Sequence, residues 1–202
     1  MKYQTLFYVL IILLLTQCKQ NVGNTVEVKD EEGHMVEKYQ IQLPDSIKNG
    51  TYNRYDTEGL LMVSANYIAG KLQGERRMYY PSGKVELIEH YENDVHHGLY
   101  QVFYENGNIK LQGQYIKGKM EGEWQGFYED ATPKEKVTFK ENQENGVFVE
   151  YHPNGNIKAK GTYLNGDNED GLLELFDEAG DLERTMECKQ GRCQTTWTRM
   201  KT

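Results

Sequence analysis

Glycine returns in this chain at a fixed interval. Gly50, Gly74, Gly98, Gly122, Gly146 and Gly171 are spaced 24, 24, 24, 24 and 25 residues apart. If each opens a unit, the sixth position is Tyr55, Tyr79, Phe103, Phe127, Tyr151 and Phe176, aromatic in every copy. The tenth is Gly59, Gly83, Gly107, Ala131, Gly155 and Gly180. The twelfth is Leu61, Val85, Ile109, Pro133, Ile157 and Leu182, and the eighteenth is Tyr67, Tyr91, Tyr115, Phe139, Tyr163 and Cys188. A shorter, degenerate unit precedes them around Glu32–Tyr39. Self-similarity at such a period means a repeat architecture, in which each unit buries its apolar face only against its neighbours.

Each unit reads as a β-hairpin. Asn106-Gly107 and Asn154-Gly155 are hairpin-turn dipeptides, because both residue types tolerate positive φ. After the turn the pattern has period two: Ile109, Leu111, Gly113 and Tyr115 share one face, while Lys110, Gln112 and Gln114 share the other. Before the turn, Tyr100 and Phe103 are three apart. Either both faces carry aromatics there or a bulge rephases the strand. A second turn follows each hairpin, as at Lys117-Gly118-Lys119 and Asn165-Gly166-Asp167. Strands joined by tight turns pair with their sequence neighbours, which predicts an all-β, elongated antiparallel meander of about 12 to 14 strands. Six to seven hairpin units would form one curled, single-layer sheet, with tyrosines supplying most of the burial. The glycines read as turn punctuation. In the fourth unit Asp130-Ala131-Thr132-Pro133 replaces the glycine turn, which predicts a distorted hairpin or a kink.

Composition supports this reading only once the period is known. From Cys18 onward, 35 of 185 residues are Leu, Ile, Val or Phe, and 22 basic against 31 acidic groups leave a charge of −9. That aliphatic share resembles a disordered chain. The same segment holds 13 tyrosines and 20 glycines, which a repeat of aromatic ladders and tight turns requires. The acidic balance argues against nucleic acid and anionic membrane surfaces as partners.

The N-terminus reads as an address. Leu6–Leu15 is an unbroken apolar run of ten, of h-region length and too short to span a bilayer. Leu15-Thr16-Gln17-Cys18 resembles the lipobox of bacterial lipoproteins, although Gln17 departs from the small residue usual before the cysteine. The resemblance implies a signal peptide at 1–17, a diacylglyceryl group on Cys18, a tether through residue 25 and a repeat domain at 26–202. An ordinary secretion signal and a retained anchor are the alternatives. Lys19 is not the aspartate that retains many lipoproteins in the inner membrane, so the expected place is the cell envelope, with the outer membrane favoured where the host has one.

The phrase Tyr104-Glu105-Asn106-Gly107-Asn108-Ile109-Lys110, followed by Gly118-Lys119-Met120-Glu121-Gly122-Glu123-Trp124, resembles the variant MORN repeat over about residues 33–200. It also resembles the YwqK-type, antitoxin-like repeat proteins of bacteria. The resemblance implies extended hairpin arrays that contact proteins or membranes, and it carries no catalytic residue. Arg76, where an aromatic is expected, the weak fourth turn and the last cysteine pair depart from the pattern.

Cys188 and Cys193 flank the place of the second turn in the last unit, so a disulfide is expected in an oxidising compartment. A CxxxxC metal or redox site is the alternative. His90, His96 and His97 could approach one another around a turn, and Asn165–Gly171 gathers oxygens, but neither has a recognised metal-ligand order. No nucleophile elbow, P-loop or dinucleotide fingerprint occurs. The reading is therefore a non-enzyme without cofactor or metal. The expected binding face is aromatic: Tyr80, Tyr104, Trp124, Tyr128 and His152. The expected function is a lipid-anchored envelope scaffold for an unidentified protein partner. The alternatives are an immunity-type protein that neutralises a toxin and a module that binds glycan or peptidoglycan.

Overall fold

A computed structural model describes residues 24–200; Cys18 and the expected signal lie outside them. The described residues contain no helix and form one antiparallel sheet of 16 strands, from β1 (Asn24–Lys29) to β16 (Arg192–Thr198). Strands follow one another in sequence order, and β1 and β16 do not pair, so the sheet is open. Seven hairpins account for fourteen strands. Two-residue β5 (Lys71–Leu72) pairs with β4 (Leu61–Ile68) off the main path, and β16 follows the last hairpin. β1 begins at Asn24, so Asn24 and Thr25 of the expected tether are already strand.

The degenerate first unit is a full member. Its turn closes with Asp30 N–H on the His34 carbonyl at 3.0 Å and Gly33 N–H on that of Asp30 at 3.1 Å. The same pair of bonds recurs at Tyr80, Tyr104, Tyr128, His152 and Asp177. Only one residue of these turns needs positive φ, and Gly107 (94°) and Gly155 (86°) supply it. Asn106 and Asn154 do not take positive φ. Their Oδ1 atoms instead accept the N–H of Asn108 and Asn156 at 2.9 and 3.0 Å. The other edge of the sheet carries the turns with two positive-φ residues in succession, such as Lys117-Gly118 (51° and 79°) and Glu141-Asn142 (53° and 68°).

The fourth unit is not distorted. Ala131 takes φ 70°, and its N–H bonds the Tyr128 carbonyl at 2.9 Å, as in the glycine turns. Pro133 opens β11 (Pro133–Lys140) and pairs with Phe127, just as Ile109 pairs with Phe103. The first residue of a strand tolerates a missing donor.

Two register breaks recur in each unit, and they decide the packing. The first lies before the turn, between Val102 and Phe103 and at the matching places, where the ladder slips by one residue. The bulge alternative is therefore the one realised. The second surrounds the glycine that opens the unit. Between the pairs Met120↔Tyr115 and Gly126↔Leu111, β10 (Lys119–Phe127) spends two residues more than β9 (Ile109–Ile116). Gly122 (φ 72°), Gly98 (113°) and Gly146 (132°) lie in such bulges. The period-setting glycines are thus inside strands and not in turns, because a bulge of this kind needs a left-handed residue that only glycine takes freely.

Cross-strand partners point to the same face. One face gathers the third, sixteenth and eighteenth positions: Tyr52, Ala65 and Tyr67; Tyr100, Gly113 and Tyr115; Trp124, Val137 and Phe139; Phe148, Gly161 and Tyr163. All of the buried side chains that can be assigned by pairing lie here, including Trp124 and Phe148 at 3% exposure. Phe148, Ala159, Leu173 and Cys188 form the tightest cluster. The opposite face is polar, with Gln101, Gln112 and Gln125 linked by amide hydrogen bonds. The sixteenth-position glycines leave room for rings. A Cβ on Gly113 would lie 2.1 Å from the Trp124 indole, and one on Gly161 would lie 2.8 Å from the Phe148 ring. We expect Gly113→Ala to cost about 2–3 kcal/mol by overpacking, measured as a fall in denaturant midpoint at unchanged slope.

Candidate functional site

The five residues expected to form one binding face are divided by the structure. Trp124 is buried on the aromatic face. The other four lie on the hairpin-turn edge and hold units together. Tyr80 Oη donates to the Phe103 carbonyl at 2.7 Å, Tyr104 Oη to Phe127 at 2.8 Å and Tyr128 Oη to Tyr151 at 3.0 Å. His152 continues the series, its Nε2 3.0 Å from the Phe176 carbonyl. Asparagine amides run alongside. Asn106 and Asn108 both donate to the Glu129 carbonyl, at 2.7 and 2.9 Å, and Asn154 and Asn156 both donate to that of Glu178, at 2.6 and 2.8 Å. Each turn is thereby tied to the next. The seventh-position hydroxyls are consumed in the fold.

The aromatic face itself is the other set, the third and eighteenth positions, half-buried apart from the buried Trp124 and Phe148. Rings follow one another: Tyr39 and Tyr52 at 6.3 Å between centroids, Tyr52 and Tyr67 at 5.7 Å, Tyr100 and Tyr115 at 5.5 Å, Tyr115 and Trp124 at 5.3 Å, Trp124 and Phe139 at 6.0 Å. Phe148 and Tyr163 stack at 4.1 Å. Several contacts are edge-on, the arrangement ring quadrupoles favour. The phenols are donors at neutral pH. Tyr52 is pushed up to about 12 by burial and by the hydrogen bond it gives Glu37, and burial pushes Tyr163 up to about 12.

A further row, two residues before each opening glycine, lies over these rings. Its members are Lys48, Leu72, His96, Met120, Glu144 and Glu169. Lys48 Nζ stands 4.6, 4.3 and 5.4 Å from the rings of Tyr39, Tyr52 and Tyr67, a cation held by three aromatic faces. His96 lies between Tyr91 and Tyr115, at 4.3 and 5.0 Å. The sequence marks this row only by its changing chemistry against a constant aromatic frame.

The second unit replaces ring and glycine by an ion pair. Arg76 holds the third position, Glu89 the sixteenth, and they pair directly across β6 (Gly74–Tyr79) and β7 (Val85–Glu92). Glu89 is 4% exposed and bonds Arg76 Nη1, Tyr91 Oη at 2.8 Å and His96 Nε2 at 3.2 Å. Burial alone would raise its carboxyl. The hydrogen bonds from Arg76, Tyr91 and His96, with the Arg76 charge, outweigh burial and hold it below the usual carboxylate range. Burial and the bond to Glu89 push Tyr91 up to about 12. The sequence signal for this cluster was Arg76 alone, standing where a ring is expected.

The histidines do not assemble. His90 Nδ1 meets the Leu99 carbonyl at 3.0 Å, His96 turns to Glu89 on the aromatic face, and His97 Nδ1 lies 3.7 Å from Glu92. In the 165–171 segment, Asp170 Oδ1 accepts the Gln190 N–H at 3.4 Å and so serves the adjacent turn. Among the described residues, Asp30, Glu32 and His34 bring ligand atoms within 4.8 Å of one another, on an exposed turn. Cys188 and Cys193 are joined in a disulfide across the last turn.

The model of the MORN repeat variant matches residues 72–93, 97–117 and 144–165. No curated protein matches the chain. Each MORN-variant segment spans a strand, a hairpin turn and the returning strand. The fourth unit, without a turn glycine, falls between the second and third segments. The chain thus carries MORN-variant repeats at three places along one open sheet of hairpins.

We expect Tyr104→Phe, which deletes one donor of the turn ladder, to cost about 1 kcal/mol in chemical denaturation. Glu89, with its pKa lowered on folding, contributes stability that is present above the unfolded carboxylate value near 4.5 and is lost as pH falls through the lower folded value. The stability gap between wild type and Glu89→Gln should therefore be widest at neutral pH and close as pH falls below about 4.5 and through the lower folded value. A gap independent of pH would refute the linkage.

Proposed function

We propose that this protein is a binding scaffold of the cell envelope, anchored through lipid on Cys18, which captures a protein partner on its aromatic face. The observation that carries the reading is the set of rings between Tyr39 and Tyr163, most of them half-buried, on one side of an open sheet, interrupted in the second unit by Arg76 and Glu89. Aromatic rings are the residues from which interfaces draw most binding energy. The opposite face scatters exposed Leu99 and Val147 among polar side chains and offers no comparable run. The mechanism is passive: bulges and the turn ladder hold the rings in place, so a partner meets a preorganised surface. The lipobox-like Leu15–Cys18 supports the anchor. Arrays of MORN-variant hairpins suit a scaffold role.

A photo-crosslinking residue at Tyr67 should yield a covalent adduct with a protein partner in the native host, and one at Val147 should not. Adducts from Val147 alone would move the interface to the polar face, and none from either would end the scaffold reading. Palmitate should label the wild type and not Cys18→Ala; equal labelling would refute the anchor.

A further inference from the structure

The residue two before the opening glycine changes charge along the aromatic face. In the first unit it is Lys48, whose ammonium sits on three tyrosine rings. In the fifth it is Glu144, set against the same frame of rings and paired with Phe139 across β11 and β12 (Gln143–Tyr151). Beside it Glu135 lies over Gly126, where a Cβ would come within 2.8 Å of its Oε1. The two carboxylates line one cavity of about 180 Å³, whose other walls include Met120, Trp124, Val137 and Phe139. Neither carboxylate has a salt bridge or a side-chain hydrogen bond among the described residues. The neighbouring acid Glu150 does have one, with Lys158 Nζ at 2.9 Å. The Trp124 indole N–H in the cavity wall is buried without a partner. Burial raises the Glu144 carboxyl, and the charges of Asp167 and Glu135 add to the effect. The rings and the acceptors are present, and among the described residues the cation is not.

We propose that this cavity is a receptor for a lysine or arginine side chain of a protein partner. The aliphatic stem packs on Met120 and Val137, and the cationic head lies between Glu135 and Glu144 over Trp124 and Phe139. An aromatic floor with carboxylate rims suits such a group, since the rings attract the cation and the acids neutralise it out of water. The inference rests on the scaffold reading and places the anchoring contact of that interface.

The test uses tetralysine as the probe and the full-length protein in nonionic detergent. Fluorescence of Trp124 is read in a Trp197→Phe background. Tetralysine should change the emission saturably, and the same peptide acetylated on every Nε should not. Glu144→Gln and Glu135→Gln should each weaken binding about tenfold, roughly the loss of one charge-assisted hydrogen bond. Glu141→Gln removes the same charge from the surface and should leave binding unchanged. No saturable change, equal response to the acetylated peptide, or equal weakening by Glu141→Gln would overturn the receptor. Circular dichroism checks the fold of each variant, and Glu144→Gln should be no less stable than wild type because it removes a partly buried acid without a salt-bridge partner among the described residues. The two readings fail separately. A partner captured equally by wild type and by the Glu135→Gln/Glu144→Gln double variant would sink the receptor and keep the scaffold. Tetralysine binding without any captured partner would do the reverse.

Discussion

The contact on which this architecture depends is a ring laid on a glycine of the neighbouring strand. A single-layer sheet has no second layer to bury side chains against. Trp124 and Phe148 reach 3% exposure because Gly113 and Gly161 carry no side chain beneath them, and the rings sink onto the backbone. The bulge at the opening glycine makes this geometry available by giving one strand two extra residues and re-aiming the third position. Glycines thus do three jobs, bulge, turn and seat, all three together in the third and fifth units. In the second unit Glu89 stands at the seat position, and Arg76 replaces the ring.

The two edges of the sheet are maintained by different means. On one, type I′-like turns are tied to the neighbouring unit by main-chain bonds, such as Gly118 N–H to the His96 carbonyl, and by side chains such as that of Asn142, whose Oδ1 accepts the Met120 N–H. On the other, tyrosine hydroxyls and asparagine amides reach one unit forward to main-chain carbonyls. Those bonds connect residues 21 to 24 apart, so every unit is braced by the next and by nothing more distant. The aromatic face is released from this structural duty over part of its area. That is why its overlying row can range from lysine through histidine and methionine to glutamate without disturbing the frame.

The repeat, the hairpins and the sheet order were legible in the sequence because each is a local matter of turn residues and period. The job of each glycine was not, since bulge and turn both require positive φ and look alike in one dimension. Asn106 and Asn154 were misread for a related reason. The side chain that tolerates left-handed backbone is also one that bonds backbone, and here the second property operates. Tyr104 and Tyr128 looked free because their acceptors are main-chain carbonyls, which carry no sequence signature. Pro133 looked disruptive because its place at a strand entry depends on the register. Arg76 was visible as an anomaly, but Glu89 was not, and their pairing needed the cross-strand register. The disulfide was legible because the turn between its cysteines was.

The Cys188–Cys193 bridge has one more consequence. In a chain of units that touch only their neighbours, disruption enters at the ends. The bridge stitches the final hairpin to the last strand, while the first hairpin is held by hydrogen bonds and a few rings. The two described ends of the array are therefore unequal: the last strand is buttoned to its neighbour by a covalent bond, and β1 is joined to β2 by hydrogen bonds.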